Sequence, residues 1–243
     1  MKLNQKMKYS IIVLCGGLGS RLSSIQNIKV KLLAPISSNI FFDYFTKWLK
    51  LNNAFTEDLI LAIGFNSSLI SEYLFKNSLN IKISIEKMQK GTLPAVIQAS
   101  ALAKYDDILV LNGDTIFDVC FMDMYEKYLE NIERPLLSLK TLKIKDKSFK
   151  NGYSFVGQNN LRFVEKNPQF ISCGAFFYKK SSLKKEFMTN IQWNNHIKYD
   201  LDIHFLDKAK CRDYLCDGKY MIDIGTVEDF YKAQKIIPKY INL

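Results

Sequence analysis

The residues able to do chemistry in this 243-residue chain fall at four places, and the first is a glycine-rich turn, Leu14-Cys15-Gly16-Gly17-Leu18-Gly19-Ser20-Arg21, directly after an apolar run. Glycines let the backbone bend sharply and bring its N–H groups against an anion, while a helix after the turn would aim its positive end at the same spot. Phosphate is the ligand that suits such a turn, although a tight turn without a ligand uses the same glycines. Arg21 continues the turn and Lys31 follows, two fixed cations suited to a triphosphate or a leaving pyrophosphate. For each the bland reading is a solvated surface charge, and taken alone Lys31 reads as one. The third place is Asn112-Gly113-Asp114, after the apolar run at residues 108–111, and the fourth is Asp223, a lone acid in an apolar stretch next to Gly225. A carboxylate beside bound phosphates would hold Mg2+, which takes one or two carboxylates plus phosphate oxygens. A buried unpaired carboxylate such as Asp223 needs a cation, a cap or solvent.

Two nucleotide motifs do not fit. A P-loop needs Lys-Ser/Thr after its last glycine, and the dinucleotide fingerprint needs a small residue where Leu22 stands and an acid where Ile63 and Gly64 stand. His196 and His204 are the only histidines, and neither has a triad partner or zinc-ligand spacing, so both read as structural.

The elements that must position these residues follow from periodicity. Residues 9–14 form a short continuous apolar run ended by glycines, as expected of a central strand buried on both faces, and similar runs recur at 59–63, 81–85 and 108–111. Between them apolar residues repeat at helical spacing: Phe41, Phe42, Phe45, Trp48 and Leu49 form one stripe, Leu69, Ile70, Tyr73 and Leu74 form another after Ser67 as N-cap, and a third helix is predicted over 94–104. The first half therefore predicts an α/β fold with a doubly wound, mostly parallel sheet, in which the Gly16 turn and Asp114 meet at the carboxyl ends of the strands. After residue 134 the texture turns to strands, at 136–142, 153–156, 161–164, 170–178 and 221–224. A last helix is predicted after Thr226, with Asp229 completing a capping box and Phe230, Ala233 and Ile237 facing the core.

Composition sets the bounds. Apolar residues make up 48% and charged residues 24%, which excludes disorder and fibrous architectures and predicts one domain over 1–243, with halves meeting near residue 134. The net charge of +10 favours acidic partners. That sign alone does not choose among nucleic acid, anionic membrane and phosphorylated metabolites; the lysines are scattered and no nucleic-acid module is present, so the charge reads as a solvated basic surface and no nucleic-acid partner is expected. Five unevenly spaced cysteines without a Cys-x-x-Cys pair suit a reducing cytoplasm. No stretch approaches the roughly 18 apolar residues of a membrane span, so no membrane association is expected. No feature sets an oligomeric state.

Together these segments, with Lys31-Leu32-Leu33-Ala34-Pro35-Ile36 and Glu165-Lys166, resemble in order and spacing the sugar-1-phosphate nucleotidyltransferases over nearly the whole chain. Within that family the likeness is to the short D-glycero-D-manno-heptose 1-phosphate guanylyltransferases, through the glycine turn, Ser84-Ile85-Glu86-Lys87, Gly91-Thr92, Leu111-Asn112-Gly113-Asp114-Thr115 and Asp223-Ile224-Gly225-Thr226. The resemblance implies a Rossmann-like nucleotidyltransferase fold and Mg2+-dependent transfer from a nucleoside triphosphate, GTP favoured, to a sugar 1-phosphate, heptose 1-phosphate favoured. The product would be a nucleotide-sugar for surface polysaccharide. It further implies that Leu14, Gly16, Gly17, Gly19, Ser20, Glu86 and Gly91 bind the nucleotide, and that Arg21, Lys31 and Asp114 act on the reacting phosphates. Asp114 and Asp223 would share the metal, and Gly152, Glu165 and Lys166 would hold the sugar phosphate. Four departures stand out: Val30 where the family has Pro, Leu93-Pro94 where it has glycines, Asn167 between Lys166 and Pro168, and no acid in register near Lys198. They bear on the choice of base and sugar, and leave two rivals: a non-catalytic nucleotide or sugar-phosphate binding protein, and a cytidylyltransferase acting on another phosphate acceptor.

Overall fold

The computed structural model describes residues 7–17, 22, 25, 28–54, 57–64, 66–86, 90–143, 152–156, 160–187, 197–206 and 209–243. The chain opens with β1 (Ser10–Leu14), a 3-10 turn at Lys31–Leu33, a small hairpin of β2 (Pro35–Ile36) and β3 (Asn39–Ile40), and helix α1 (Phe41–Leu51). It alternates through β4 (Leu59–Ile63), α2 (Ser67–Lys76), β5 (Lys82–Ile85), α3 (Thr92–Ser100) and β6 (Asp107–Asn112). Then come β7 (Thr115–Phe117), α4 (Phe121–Leu129), β8 (Leu136–Thr141), β9 (Gly152–Val156), β10 (Asn160–Val164), β11 (Phe170–Lys179) and α5 (Lys180–Phe187). A π-type turn at Asp202–Leu206, β12 (Arg212–Leu215), β13 (Met221–Asp223) and α6 (Val227–Tyr240) close the chain.

β5, β4, β1 and β6 lie side by side and parallel. From β1 the chain moves outward to β4 and β5 and then crosses back to β6 on the other side of β1, so the direction of winding reverses between β1 and β6 and opens a crevice above the carboxyl ends of that pair. β11 enters antiparallel beside β6, carries β8 on its other edge, and at Phe170 reaches the β9–β10 hairpin. The strand-rich second half thus extends the parallel sheet of the first.

The continuous apolar runs are explained by cores on both faces. Successive strand side chains point to opposite sides, so Ile11, Val13, Leu61, Ile63, Leu109 and Leu111 meet α1, α2, α4 and α6, whereas Ile12, Ile60, Ala62, Ile108 and Val110 meet α3. The α1 stripe includes Trp48, fully buried, whose indole N–H donates to Phe117 O at 2.8 Å and fixes the helix against β7.

Local signals are met with three adjustments. Ser67 is the first residue of α2 rather than its cap; Asn66, in the left-handed region at φ 60°, precedes it without a side-chain cap. α3 runs Thr92–Ser100, with Pro94 in its first turn as predicted but an earlier end. Thr226 caps α6 by accepting from Asp229 N–H at 3.1 Å, while the Asp229 carboxylate takes the Thr226 hydroxyl at 2.6 Å instead of the Thr226 amide. Helices α4 and α5, the β2–β3 hairpin and strands β7 and β12 are additions to the elements predicted from sequence. No helix among the described residues is long and apolar enough to cross a membrane.

Candidate active site

β1 and β6 end together, Leu14 beside Asn112, and both chains then turn. Gly113 N–H donates to Leu14 O at 3.0 Å, an approach that needs glycine because a Cβ there would lie 2.8 Å from both Leu14 O and Cys15 Sγ. That closeness carries Asp114 over the end of β1. β7 then pairs antiparallel with β13, bringing Thr115 opposite Asp223, and Ile224 N–H donates to Asp114 O at 3.0 Å.

Four side chains converge there. Lys31 reaches in from the 3-10 turn, its Nζ 2.6 Å from Asp114 Oδ2. The Thr115 hydroxyl lies 3.2 Å from Asp114 Oδ1 and 3.0 Å from Asp223 Oδ2, and Gly225 N–H donates to Asp223 Oδ1. Burial, and then the negative charge of Asp114, push the Asp223 carboxyl above the usual carboxylate range, against the bonds from Thr115 and Gly225 and the charge of Lys31. Two carboxylates with one ammonium between them leave the cluster short of positive charge. Among the described residues no group of three or more His, Cys, Asp or Glu could hold a metal ion, so a cation at this pair would have to complete its shell with water or phosphate oxygens, the habit of Mg2+.

A cavity of about 370 Å3 opens on the β1 side of this cluster, lined by Leu14, Gly16, Gly17, Glu86, Gly91 and Asp114 among others. Burial pushes the Glu86 carboxyl up. Gly91, at φ 108°, accepts close contact with a later segment: a Cβ would fall 2.5 to 2.8 Å from the Tyr199 backbone. Tyr199 N–H donates to Lys90 O at 2.7 Å, Leu93 N–H to Tyr199 O at 3.0 Å, and Leu201 N–H to Thr92 Oγ1 at 2.8 Å. This docking brings Lys198 and Asp200 to the cavity wall, residues that sequence reasoning did not place in the site. The acid missing in register near Lys198 stays a departure; Asp200, two residues later, is the carboxylate that lines the cavity there.

A second cavity, of about 610 Å3, lies toward β13 and is lined by Thr115, Lys140, Gly152, Tyr153, Asp202 and Asp223 among others. Asn112 lines both cavities. Its side chain has room because β11 carries Gly174 at φ 80°, where a Cβ would sit 2.7 to 2.9 Å from the Asn112 side chain.

Of the sequence-predicted site residues, Leu14, Gly16, Gly17, Lys31, Glu86, Gly91, Asp114, Gly152 and Asp223 come together around this junction. Glu165 and Lys166 are exposed in the bend after β10, next to Val164, which pairs with Gly152; neither is among the residues lining the second cavity. Gly19, Ser20, Arg21, Lys87 and His196 lie outside the described residues. Val30 and Leu93, two of the departures, are buried apolar side chains in the cores, 6% and 0% exposed.

A protein-family model described as Nucleotidyl transferase matches residues 10–239. The chain belongs to the nucleotidyl transferase family. Its fold is that of a nucleotidyltransferase, and it is an enzyme of that class. Among relatives of this nucleotidyltransferase is the D-glycero-alpha-D-manno-heptose 1-phosphate guanylyltransferase of Campylobacter jejuni, 32% identical over 234 residues that span 90% of this chain and 96% of the relative. The protein of the same name from Aneurinibacillus thermoaerophilus is 28% identical over 241 residues, 95% of this chain and 99% of the relative. The crystal structure of HddC from Yersinia pseudotuberculosis superposes with a TM-score of 0.75 at 25% identity, covering 94% of this chain and 99% of that one.

Proposed function

We propose that this nucleotidyltransferase joins GTP and a heptose 1-phosphate, releasing pyrophosphate and forming a nucleotide-sugar. The observation that carries the reading is the Lys31–Asp114–Thr115–Asp223 cluster, set between two cavities that share Asn112. The first cavity, with the glycine turn, would take the triphosphate, and Glu86 in its wall offers a carboxylate that matches the adjacent N–H donors of guanine. The second would take the acceptor, with Gly152 in its lining and Glu165 and Lys166 beyond it. The names of the two heptose 1-phosphate guanylyltransferase relatives support the choice of both substrates.

In the reaction a phosphate oxygen of the acceptor bonds to the α-phosphorus while the bond from that phosphorus to the β-phosphate bridging oxygen breaks, and pyrophosphate leaves with the electron pair. The attacking phosphate is already ionised near pH 7, so no protein base is required. The protein aligns the two phosphates and stabilises charge. Lys31 is the cation held at the junction, and Arg21 with Gly19 and Ser20 would continue the cradle along the triphosphate. Asp114 and Asp223 would hold Mg2+, which when bound neutralises phosphate charge. The two halves, meeting near residue 134, would act as one domain.

Pyrophosphate release with Mg2+, crossing the four ribonucleoside triphosphates and dTTP against hexose and heptose 1-phosphates, tests this directly. Release with GTP and a heptose 1-phosphate, abolished by chelator, is expected. Absence of release from every pair, in folded protein that binds a triphosphate, would overturn it.

A further inference from the structure

Two side chains of the second cavity have no part in the chemistry described so far. Asp202 opens the π-type turn after the segment that docks on Gly91, and its carboxylate accepts the hydroxyl of Tyr153 on β9. Both residues line the cavity, Tyr153 almost fully buried and Asp202 partly exposed to it. Among the described residues the charge that acts on Asp202 is another carboxylate, Asp200, and burial followed by that like charge raises its carboxyl above the ordinary value, against the bonds from Tyr153 and its own amide. A carboxylate withdrawn from water without a cation is costly unless donors saturate it. It has about four lone-pair sites, more than a tyrosine hydroxyl and one amide can fill.

A phosphate cannot complete that set, because Asp202 and Asp200 repel it. Lys31 is held by Asp114, and Lys140 lines the same cavity. Neutral O–H donors can complete it, and a sugar presents several at one end and its phosphate at the other. The cavity therefore combines a donor-seeking wall at Tyr153–Asp202 with Asp223 of the Lys31–Asp114–Thr115–Asp223 cluster.

We propose that Asp202, held in place by Tyr153, selects polyhydroxylated acceptors by accepting hydrogen bonds from the hydroxyls remote from the transferred phosphate. Tyr153 is a positioning residue and Asp202 the specificity determinant. The inference rests on reading the second cavity as the acceptor site.

The test is steady-state pyrophosphate release by the full chain, with the nucleotide held saturating and the sugar 1-phosphate varied, for wild type, Asp202→Asn and Tyr153→Phe. Asp202→Asn is expected to raise the acceptor KM by about tenfold or more, as for a lost hydrogen bond to a charged group, with kcat and the nucleotide KM little changed. Tyr153→Phe should raise the same KM by less. A deoxy acceptor lacking the recognised hydroxyl should bind wild type as poorly as the full sugar binds Asp202→Asn, and should be indifferent to the substitution. An unchanged acceptor KM in Asp202→Asn, or equal losses on both substrates and on every deoxy analogue, overturns the inference while wild-type activity leaves the acceptor reading standing. If Asp202→Asn does not fold, Tyr153→Phe decides by the same split. A wild type that releases no pyrophosphate with any sugar 1-phosphate removes both readings together.

Discussion

Asp114 concentrates the chemistry of the site at a single side chain. It accepts from Lys31, stands beside the Thr115 hydroxyl, and places a negative charge close enough to raise the carboxyl of Asp223. Asp114→Asn keeps the shape and removes the charge, leaving Lys31 without its anion and the proposed metal with one carboxylate. Turnover should fall by about a hundredfold or more, the scale seen when a group stabilising transition-state charge is lost. The partial exposure of both partners predicts little change in the thermal transition. Pyrophosphate release and circular dichroism on the same sample check this, and full turnover at matched Mg2+ would refute it. Asp114 and Asp223 stood out in the sequence because an acid at a strand's carboxyl end has few structural reasons to be there, whereas Lys31, in a turn away from any strand's carboxyl end, read on its own as a solvated surface charge. Lys198 and Asp200 did not stand out, since nothing local distinguishes them from solvated charges.

Among the elements, β11 connects packing to the site. It runs antiparallel beside β6, yet its register against β8 shifts between Ser172 and Phe176, where Gly174 takes φ 80° and the Ser138 hydroxyl bonds Ala175 O at 2.8 Å. The irregularity makes room for Asn112, which borders both cavities. Gly174→Ala would add strain at a positive φ and a clash with Asn112, a cost of about 1–3 kcal/mol. Urea unfolding should show that loss together with reduced turnover; unchanged stability would mean that the bulge relaxes freely. Helices α1 and α6 were readable from their apolar stripes and the Thr226 cap. α4 carries Phe121, Met124, Tyr125 and Tyr128 at the same helical spacing, a signal present but masked by the strand-rich stretch that follows it. β12 left no such trace: its side chains are mostly half-buried and it exists by pairing with β8.

At the scale of the whole molecule the sheet has two unlike ends. The carboxyl ends hold the cavities, whereas the opposite end is tied by Asp58, 3% exposed, which accepts from the Ser10 hydroxyl at 2.6 Å, Lys82 Nζ at 2.6 Å and Lys104 N–H at 2.7 Å. Burial alone would raise its carboxyl; the bonds to Lys82, Ser10 and Lys104 outweigh that and hold it below the ordinary range. A folded-state value below the unfolded one contributes stability that is complete above the unfolded carboxylate value, about 4, and is lost as pH falls through the folded one. Wild type should therefore exceed Asp58→Asn in unfolding free energy by about 1–3 kcal/mol at neutral pH, and the gap should narrow below about pH 4. Denaturant titrations of both proteins across that range measure it, and a gap independent of pH would remove the carboxylate's charge from the explanation. Function and stability are thus carried by opposite ends of the same strands.

The alternation of apolar runs and helical stripes, the central position of β1, and the gathering of the glycine turn and Asp114 above the strand ends were determined by the sequence itself. Each depends on spacing over a few residues and on the topology that parallel strands impose. Tertiary structure alone decided which side chains meet. Lys31 finds Asp114 across 83 residues, Thr115 finds Asp223 across 108, and Tyr153 finds Asp202 across 49. Such partners are chosen by strand register and by where a late segment docks on an early turn, and those choices come from the whole packed core, whereas local periodicity is written in neighbouring residues.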